Sequence, residues 1–180
     1  MSEEIKGKIP VKITLVSEDG SDERWVLSQE LFAEERHPLP VTNEVIVVGK
    51  LYKSDKTVYF NGSIKGSLAL ECSRCLKNFE LPFDESVSSV FMPKTDFAEE
   101  GEEVELSGDD MDVQFYEGEE IDLFGPVRDQ IALVAPMQPL CSEDCKGLCP
   151  KCGVDLNVEN CGCQTMEIDP RLAALKKLIK

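Results

Sequence analysis

The chain has 180 residues, a mass of 20.0 kDa and a formal net charge of −16, from 19 basic and 35 acidic residues. This length corresponds to one domain, or to one domain with a small appendage, and it can bury a core without disulfide bonds. Phosphate repels so acidic a chain and only 7% of its residues are aromatic, which argues against a general nucleic-acid coat and against a stacking platform for single strands.

The chain shows no sign of a membrane or secretory segment. No stretch reaches the roughly 18 apolar residues of a membrane span, and the first six residues lack the apolar region of a signal peptide. We therefore expect a cytoplasmic protein that does not contact a membrane. In a reducing cytoplasm, eight cysteines at short spacings indicate metal ligands rather than disulfides.

Residues 1–94 predict a mainly antiparallel β region. The stretches 8–16 and 44–52 are typical of strands, and residues 57–72 alternate between apolar and polar side chains. A period of two with one polar side is the pattern of an antiparallel strand that has one face in water.

The long alternating stretch carries two further signals. Gly62 and Gly66 predict bends or bulges inside it. The alternation resumes after Cys75, so the motif Cys72-Ser73-Arg74-Cys75 is expected at a reversal between two long strands.

Residues 95–121 predict an acidic loop. Together with Asp122 they contain thirteen Asp or Glu residues and no Lys or Arg. Such a block is commonly a solvated loop, and that is one interpretation. The other is that it attracts a basic partner. The glutamates on which this second interpretation depends are Glu99, Glu100, Glu102, Glu103 and Glu105.

Residues 122–180 predict a helix, a zinc-binding tail and a terminal helix. The helix covers residues 122–134, where one apolar stripe is formed by Phe124, Val127, Ile131 and Val134. A cysteine-rich tail follows, and Asp169-Pro170 is typical of a helix start. The fold class expected for the whole chain is α+β: one domain in which a twisted antiparallel β-sheet packs on a helix, with a cysteine-rich, zinc-bound C-terminal tail.

The eight cysteines divide into two groups of four. The sequence Cys149-Pro150-Lys151-Cys152-Gly153 has the spacing of a zinc knuckle, in which two thiolates hold one ion and glycine permits a positive φ. Cys161 and Cys163 complete that quartet. The other quartet requires the helix to fold back over the sheet, and it consists of Cys72, Cys75, Cys141 and Cys145. We expect two Cys₄ zinc sites, while one zinc with idle thiols, or another pairing, stays open.

A thiol-based or iron–sulfur redox protein is an alternative interpretation of the same cysteines. Cys145, Cys149 and Cys152 have the spacing of a radical-SAM cluster loop, but only 28 residues follow, too few for the barrel which that chemistry needs. No nucleophile or nucleotide-binding motif occurs, and the single histidine, His37, lies in a predicted loop. All-thiolate zinc has no open position for water, so we expect neither enzyme activity nor a small-molecule substrate.

Several motifs occur together in the chain. They are Leu70-Glu71-Cys72-Ser73-Arg74-Cys75, Glu120-Ile121-Asp122-Leu123, the tail from Cys141 to Gly153, Asp155-Leu156-Asn157 and Asp169-Pro170-Arg171. In this combination they resemble the cysteine-rich branch of the YceD-like family, named for large ribosomal RNA subunit accumulation, over about residues 40–180. The resemblance implies a cytoplasmic, non-enzymatic protein that supports accumulation of large-subunit rRNA.

We therefore expect a factor that binds a precursor of the large ribosomal subunit. One route of contact is from basic residues on or near the sheet to rRNA phosphates, and these residues are Lys50, Lys53, Lys65, Arg74 and Lys77. The other route is from the five glutamates named above to a basic ribosomal protein, and the charge balance favours it. A zinc-stabilised interaction module without a ribosomal link is a further hypothesis.

Overall fold

The computed structural model of the protein describes residues 8–33, 37–94 and 113–163. In chain order the elements are β1 (Pro10–Lys12), a 3₁₀ turn (Ile13–Leu15), β2 (Ser21–Leu27), α1 (Glu30–Ala33), β3 (Val45–Ser54), β4 (Thr57–Glu71), β5 (Asn78–Pro93), β6 (Val113–Tyr116), β7 (Glu120–Asp122) and α2 (Phe124–Val134). Neither α1 nor α2 has the length and apolar character that crossing a bilayer requires.

Five of these strands form one sheet, in the order β2-β3-β4-β5-β6. β2 pairs with β3, and β3 with β4, in antiparallel register. Only six residues join β4 to β5, too few for a parallel crossover, so these two long strands also run antiparallel. The period of two in β4 is confirmed, because Val58, Phe60 and Ile64 are fully buried on one face.

Two features of the sheet correct the sequence prediction. The sheet is mixed rather than wholly antiparallel, because β6 pairs with β5 in parallel, with Val90 opposite Val113. Part of the predicted loop over 95–121 also forms the strands β6 and β7. β7 pairs with β1 in a separate two-stranded sheet. Ile121 is 2% exposed, so the free energy gained by burying its apolar side chain outweighs the tendency of the acidic residues around it to form a solvated loop. Residues 95–112 lie outside the described ranges.

The helix α2 supplies one wall of the hydrophobic core. The apolar stripe predicted from the sequence is confirmed, since Phe124, Val127 and Ile131 are buried in the same cluster as the inner face of the sheet. The ring of Phe124 lies 5.4 Å from that of Phe32 in α1. Asp122 stabilises the start of the helix, because its Oδ1 accepts hydrogen bonds from the backbone N–H of Ile9 and of Phe124.

The chain folds as two compact units. One unit contains the sheet and α2, in residues 8–70 and 80–137, and the other contains residues 71–79 and 138–163. The second unit therefore combines the tip of the β4–β5 hairpin with the cysteine-rich tail. The terminal helix predicted after Asp169 lies outside the described residues.

We expect Gly62→Ala to destabilise the sheet. Gly62 faces Gly49 across β4 and β3, and the ring of Phe60 occupies the space beside both glycines. A Cβ on Gly62 would lie 2.8 Å from that ring and against the Val48 carbonyl oxygen. Overpacking of this kind costs roughly 1–3 kcal/mol. Urea unfolding followed by the fluorescence of Trp25, the single tryptophan, measures the change.

Gly125→Ala is the matched control, because it makes the same substitution in α2, where a Cβ would meet no atom within 4 Å. Alanine favours a helix over glycine by up to about 1 kcal/mol, so this variant should be unchanged or more stable. Equal stability of the two variants would contradict the close packing of Phe60 on the glycines.

Candidate metal centres

The first cysteine pair sits on a tight turn between β4 and β5. The backbone N–H of Leu76 donates to the Cys72 carbonyl at 2.9 Å, and the N–H of Cys72 donates to the Lys77 carbonyl at 2.9 Å. Leu76 adopts a positive φ of 58°. The turn thereby points both cysteine side chains to one side.

The second pair repeats this turn on the tail. The N–H of Gly153 donates to the Cys149 carbonyl at 2.8 Å, and the φ of Gly153 is 75°. Leu76 therefore occupies in the first turn the position that glycine occupies in the second, at a backbone cost of about 1–2 kcal/mol. Leucine and glycine thus adopt the same conformation at this position. The arrangement of the two cysteines, rather than the preference of the residue that follows them, therefore determines the turn.

The first cluster brings together the hairpin pair and the pair that follows α2. The Sγ atoms of Cys72 and Cys145 lie 3.8 Å apart, and those of Cys75 and Cys141 lie 3.6 Å apart. All four sulfurs are within 4.8 Å of one another, and only Cys141 is an exposed residue. A single ion bound tetrahedrally, at about 2.3 Å from each thiolate, holds the sulfurs about 3.8 Å apart, so the cluster fits one such ion.

The second cluster is built within the tail. Cys149, Cys152, Cys161 and Cys163 also have their sulfurs within 4.8 Å of one another. Cys149 is buried, Cys152 is exposed and the other two are half-buried, so this cluster is the more accessible one. The division of the cysteines into these two groups of four agrees with the sequence prediction.

The protonation of the thiols is split within each cluster. Backbone N–H groups, first that of Cys141, lower the pKa of Cys72 to about 6. Contact with the Cys75 sulfur is the main cause that raises the pKa of Cys141 to about 12. Crowded sulfurs do not all ionise, because like charges repel, and a bound cation would remove that conflict.

The second cluster shows the same split. The backbone N–H of Cys152, then that of Lys151, lowers the pKa of Cys149 to about 6. The Cys161 sulfur is the main cause that raises the pKa of Cys163 to about 12. Both clusters are thus thiol groups whose full ionisation requires a cation.

Two basic residues proposed to contact rRNA hold the second unit together. Arg74 donates from Nη1 to the carbonyl oxygen of Cys145 at 2.8 Å. Lys77 Nζ lies 2.6 Å from Asp155 Oδ2, and this contact is the main cause that lowers the pKa of Asp155 and raises that of Lys77. Both side chains therefore have structural partners beside the first cluster.

The remaining predicted contact residues lie elsewhere. Lys50 and Lys65 are exposed on the outer face of the sheet, each next to a residue buried on the inner face. Lys65 forms an ion pair with Asp84 at 2.8 Å. The five glutamates from Glu99 to Glu105 lie outside the described residues.

Asp155 and Asn157, which lie beside the first cluster, were not predicted from the sequence as functional residues. Asn157 donates from Nδ2 to the Cys145 sulfur at 3.4 Å, and Asp155 accepts from both Asn157 nitrogens. Their presence in a motif shared with the YceD-like family was the available signal. The contact itself depends on how the tail folds, which the spacing does not reveal.

Fold and site together define an α+β protein with two four-cysteine clusters, each arranged to bind a metal ion. Over residues 60–179 the chain matches the family described as "Large ribosomal RNA subunit accumulation protein YceD". The chain belongs to this family, and the resemblance seen in the sequence is confirmed.

Individual relatives extend the match. The chain is 37% identical over 138 residues to YlbN of Bacillus subtilis, covering 76% of this chain and 74% of YlbN. It is 33% identical to Rv2926c of Mycobacterium tuberculosis, covering 68% of this chain and 56% of that protein. It is 28% identical to "Large ribosomal RNA subunit accumulation protein YCED homolog 1, chloroplastic" of Arabidopsis thaliana, covering 78% of this chain and 48% of the relative. The chain thus spans about half the length of the last two relatives, and no solved structure matches it.

We expect each cluster to keep its own ion when a cysteine of the other cluster is replaced. Cys72→Ser and Cys149→Ser should each reduce the bound metal from two ions per chain to one, because a tetrahedral thiolate site requires all four ligands. Cys72→Ser combined with Cys75→Ser should still bind one ion, whereas Cys72→Ser combined with Cys149→Ser should bind none. Elemental analysis of the purified variants gives the numbers, and two ions on the Cys72→Ser chain would refute this division.

Proposed function

We propose that this protein is a non-enzymatic, cytoplasmic zinc-binding factor that supports accumulation of the large ribosomal subunit and its rRNA by binding a precursor particle. The family match carries this proposal, because the matched range of residues 60–179 contains all eight cysteines. The Arabidopsis relative bears the same description as the family.

The sulfur geometry supports zinc. Four thiolates in a tetrahedral arrangement are typical ligands of structural zinc. In an iron–sulfur cluster the four cysteines are divided among two or more irons, and sulfurs bound to different irons stand further apart than the 4.8 Å within which all four sulfurs of each group lie. A site closed by four thiolates leaves no position for water or substrate, which supports a structural rather than a catalytic role for the metal.

The charge distribution supports a basic protein as the direct partner. Thirteen of the 35 acidic residues fall between residues 95 and 122. Of the five basic residues predicted as RNA contacts, Lys65 and Lys77 are paired with carboxylates, and Arg74 binds a backbone carbonyl of the tail. These three cations are therefore less available to phosphate, whereas the acidic segment offers many charges to a basic ribosomal protein.

The outer face of the sheet is the competing candidate for contact with RNA. Tyr52 and Tyr59 stack there with ring centroids 4.9 Å apart, and Lys50 lies on the same face of β3 as Tyr52. Aromatic rings beside lysines bind single-stranded RNA by stacking and charge. Because each tyrosine already covers one face of the other, this surface is the weaker candidate.

Sedimentation tests the ribosomal role. We expect tagged protein in a lysate of its native host to migrate, in a low-salt sucrose gradient, with precursors of the large subunit. Depletion of the protein should lower large-subunit rRNA relative to small-subunit rRNA. A protein that stays at the top of the gradient, with rRNA unaffected by depletion, would instead support a zinc-stabilised module without a ribosomal link. Iron in the purified protein, visible as a brown colour, would support the redox interpretation.

Replacing acidic side chains tests the route of contact. Changing Glu99, Glu100, Glu102, Glu103 and Glu105 to Gln should weaken binding to basic large-subunit proteins several-fold at 0.1 M salt and flatten its salt dependence. The reason is that exposed charges act over a Debye length of about 10 Å at 0.1 M salt and about 3 Å at 1 M. Binding is measured by titrating each variant against purified basic proteins and against fragments of large-subunit rRNA.

A second variant separates local from global charge. Five exposed glutamates outside the acidic segment, changed to Gln, alter the net charge by the same amount; they are Glu18, Glu44, Glu80, Glu85 and Glu159. This variant should bind like the unmodified protein. If the two variants weaken binding equally, the acidic segment has no specific role. If only Lys50→Ala and Lys65→Ala weaken binding, the partner is RNA.

A further inference from the structure

The loop between the two halves of the second cluster reaches the first cluster. Cys149 and Cys152 precede this loop, and Cys161 and Cys163 follow it. The loop begins on a short hairpin, in which Leu148 is bridged to Asp155 and the N–H of Leu156 donates to the Gly147 carbonyl at 2.9 Å. The hairpin places the side chains of Asp155 and Asn157 beside the ligands of the other cluster.

Both polar atoms of the Asn157 side-chain amide form hydrogen bonds in this position. Its Nδ2 donates to the Cys145 sulfur at 3.4 Å and to Asp155 Oδ1 at 2.7 Å, while its Oδ1 accepts the backbone N–H of Lys146 at 2.8 Å. The sulfur and the carboxylate accept, and the backbone N–H donates, so only one orientation of the amide satisfies all three partners. Asn157 therefore fixes both the Cys145 sulfur and the backbone that follows Cys145.

Asp155 connects this arrangement to the hairpin of the first cluster. Its Oδ1 accepts from the backbone and side-chain nitrogens of Asn157, at 2.9 and 2.7 Å. Its Oδ2 is enclosed and lacks an aligned hydrogen bond among the described residues, but lies 2.6 Å from Lys77 Nζ. Lys77 follows Cys75 by two positions, so a continuous set of contacts leads from the hairpin through Asp155 and Asn157 to Cys145.

We propose that Asn157, held by Asp155, is a positioning residue for the metal bound by Cys72, Cys75, Cys141 and Cys145, and that it couples this cluster to the second one. Metal in the second cluster orders the segment from Cys149 to Cys163 and with it the loop that carries Asn157. The Nδ2–H donor of Asn157 is then already in place beside the Cys145 sulfur. The first cluster therefore loses less conformational freedom when it binds its ion. Coupling of this kind is reciprocal, so metal in the first cluster also favours metal in the second. This inference rests on the metal binding contained in the proposed function.

The expected effects are large enough to measure. Loss of a partner that orients a metal ligand lowers metal affinity by about 10- to 100-fold. Coupling between two sites changes affinity by about 5- to 150-fold. Independent clusters would instead respond only to changes in their own ligands and loops.

Isosteric substitutions of Asn157 provide the first test. Asn157→Asp keeps the shape but replaces the N–H donor by a carboxylate oxygen facing the sulfur and Asp155, so first-cluster affinity should fall by at least 10-fold. Asn157→Ala removes the donor without adding charge and should have a smaller effect in the same cluster. Asn160→Asp is the control, with the same change of charge at an exposed residue of the same loop.

The readouts distinguish the two clusters. Competition with a zinc chelator of known affinity measures each dissociation constant on the full chain. Cadmium-113 NMR of the cadmium-loaded protein gives one resonance per cluster, assigned with the Cys72→Ser and Cys149→Ser variants. Asn157→Asp should shift the first-cluster resonance, and Asn160→Asp should leave it unchanged. If both variants behave alike, or if Asn157→Asp weakens only the second cluster, Asn157 has no positioning role.

A double-mutant cycle tests the coupling. In the Cys149→Ser chain, first-cluster zinc affinity should fall by about 10-fold. In the Asn157→Asp background, adding Cys149→Ser should cause little further loss, because the connection is already broken. Equal first-cluster affinity with and without Cys149→Ser would overturn the coupling while leaving the proposed function intact. Absence of zinc from the unmodified protein would overturn both this inference and the zinc role, whereas ribosomal association is judged separately by sedimentation.

Discussion

Repulsion among crowded cysteine sulfurs is the constraint on which the cysteine-rich unit depends. Four sulfurs within 4.8 Å of one another cannot all be ionised unless a cation lies between them, and two such groups occur here. Residues 71–79 and 138–163 have few buried apolar side chains of their own, since the hydrophobic cluster around Cys72, Cys75 and Cys145 adds, within these described ranges, only Phe79, Leu140 and Leu148. A metal ion in each cluster, together with the polar contacts around it, would therefore replace the hydrophobic core that a unit of this size lacks.

Local periodicity and spacing were sufficient to predict much of this structure. The alternation in β4 and the stripe in α2 each follow from the repeat of a single element, so no knowledge of tertiary contacts was needed. The two cysteine groups were also predictable, because paired cysteines at a turn bind one ion and only a few divisions of eight cysteines give two complete sites. Leu76 shows the strength of that constraint, since the turn forms without the glycine that favours it.

Features that depend on distant partners were not predictable. β6 and β7 have four and three residues, and they exist because β5 and β1 pair with them, whereas their acidic surroundings indicated a loop. Gly62 was interpreted as a bend, but it lies in continuous register and makes room for a phenylalanine ring. Asn157 illustrates the same limit for the site, because a hydrogen bond to a sulfur twelve residues away follows from the path of the tail.

The separation of the first-cluster ligands along the chain has a consequence for synthesis. Cys75 and Cys141 are 66 residues apart, and at 5–20 residues per second the ribosome needs roughly 3–13 s to make the intervening chain. During that interval the nascent hairpin carries only two of the four cysteines of the first cluster, and their sulfurs are open to exchange and oxidation. The second cluster differs, because all four of its cysteines lie within residues 149–163 and are made almost together. Cys72 and Cys75 therefore stay accessible until the tail supplies Cys141 and Cys145. A chain whose synthesis stalls before Cys141 would have only two of the four cysteines of this cluster.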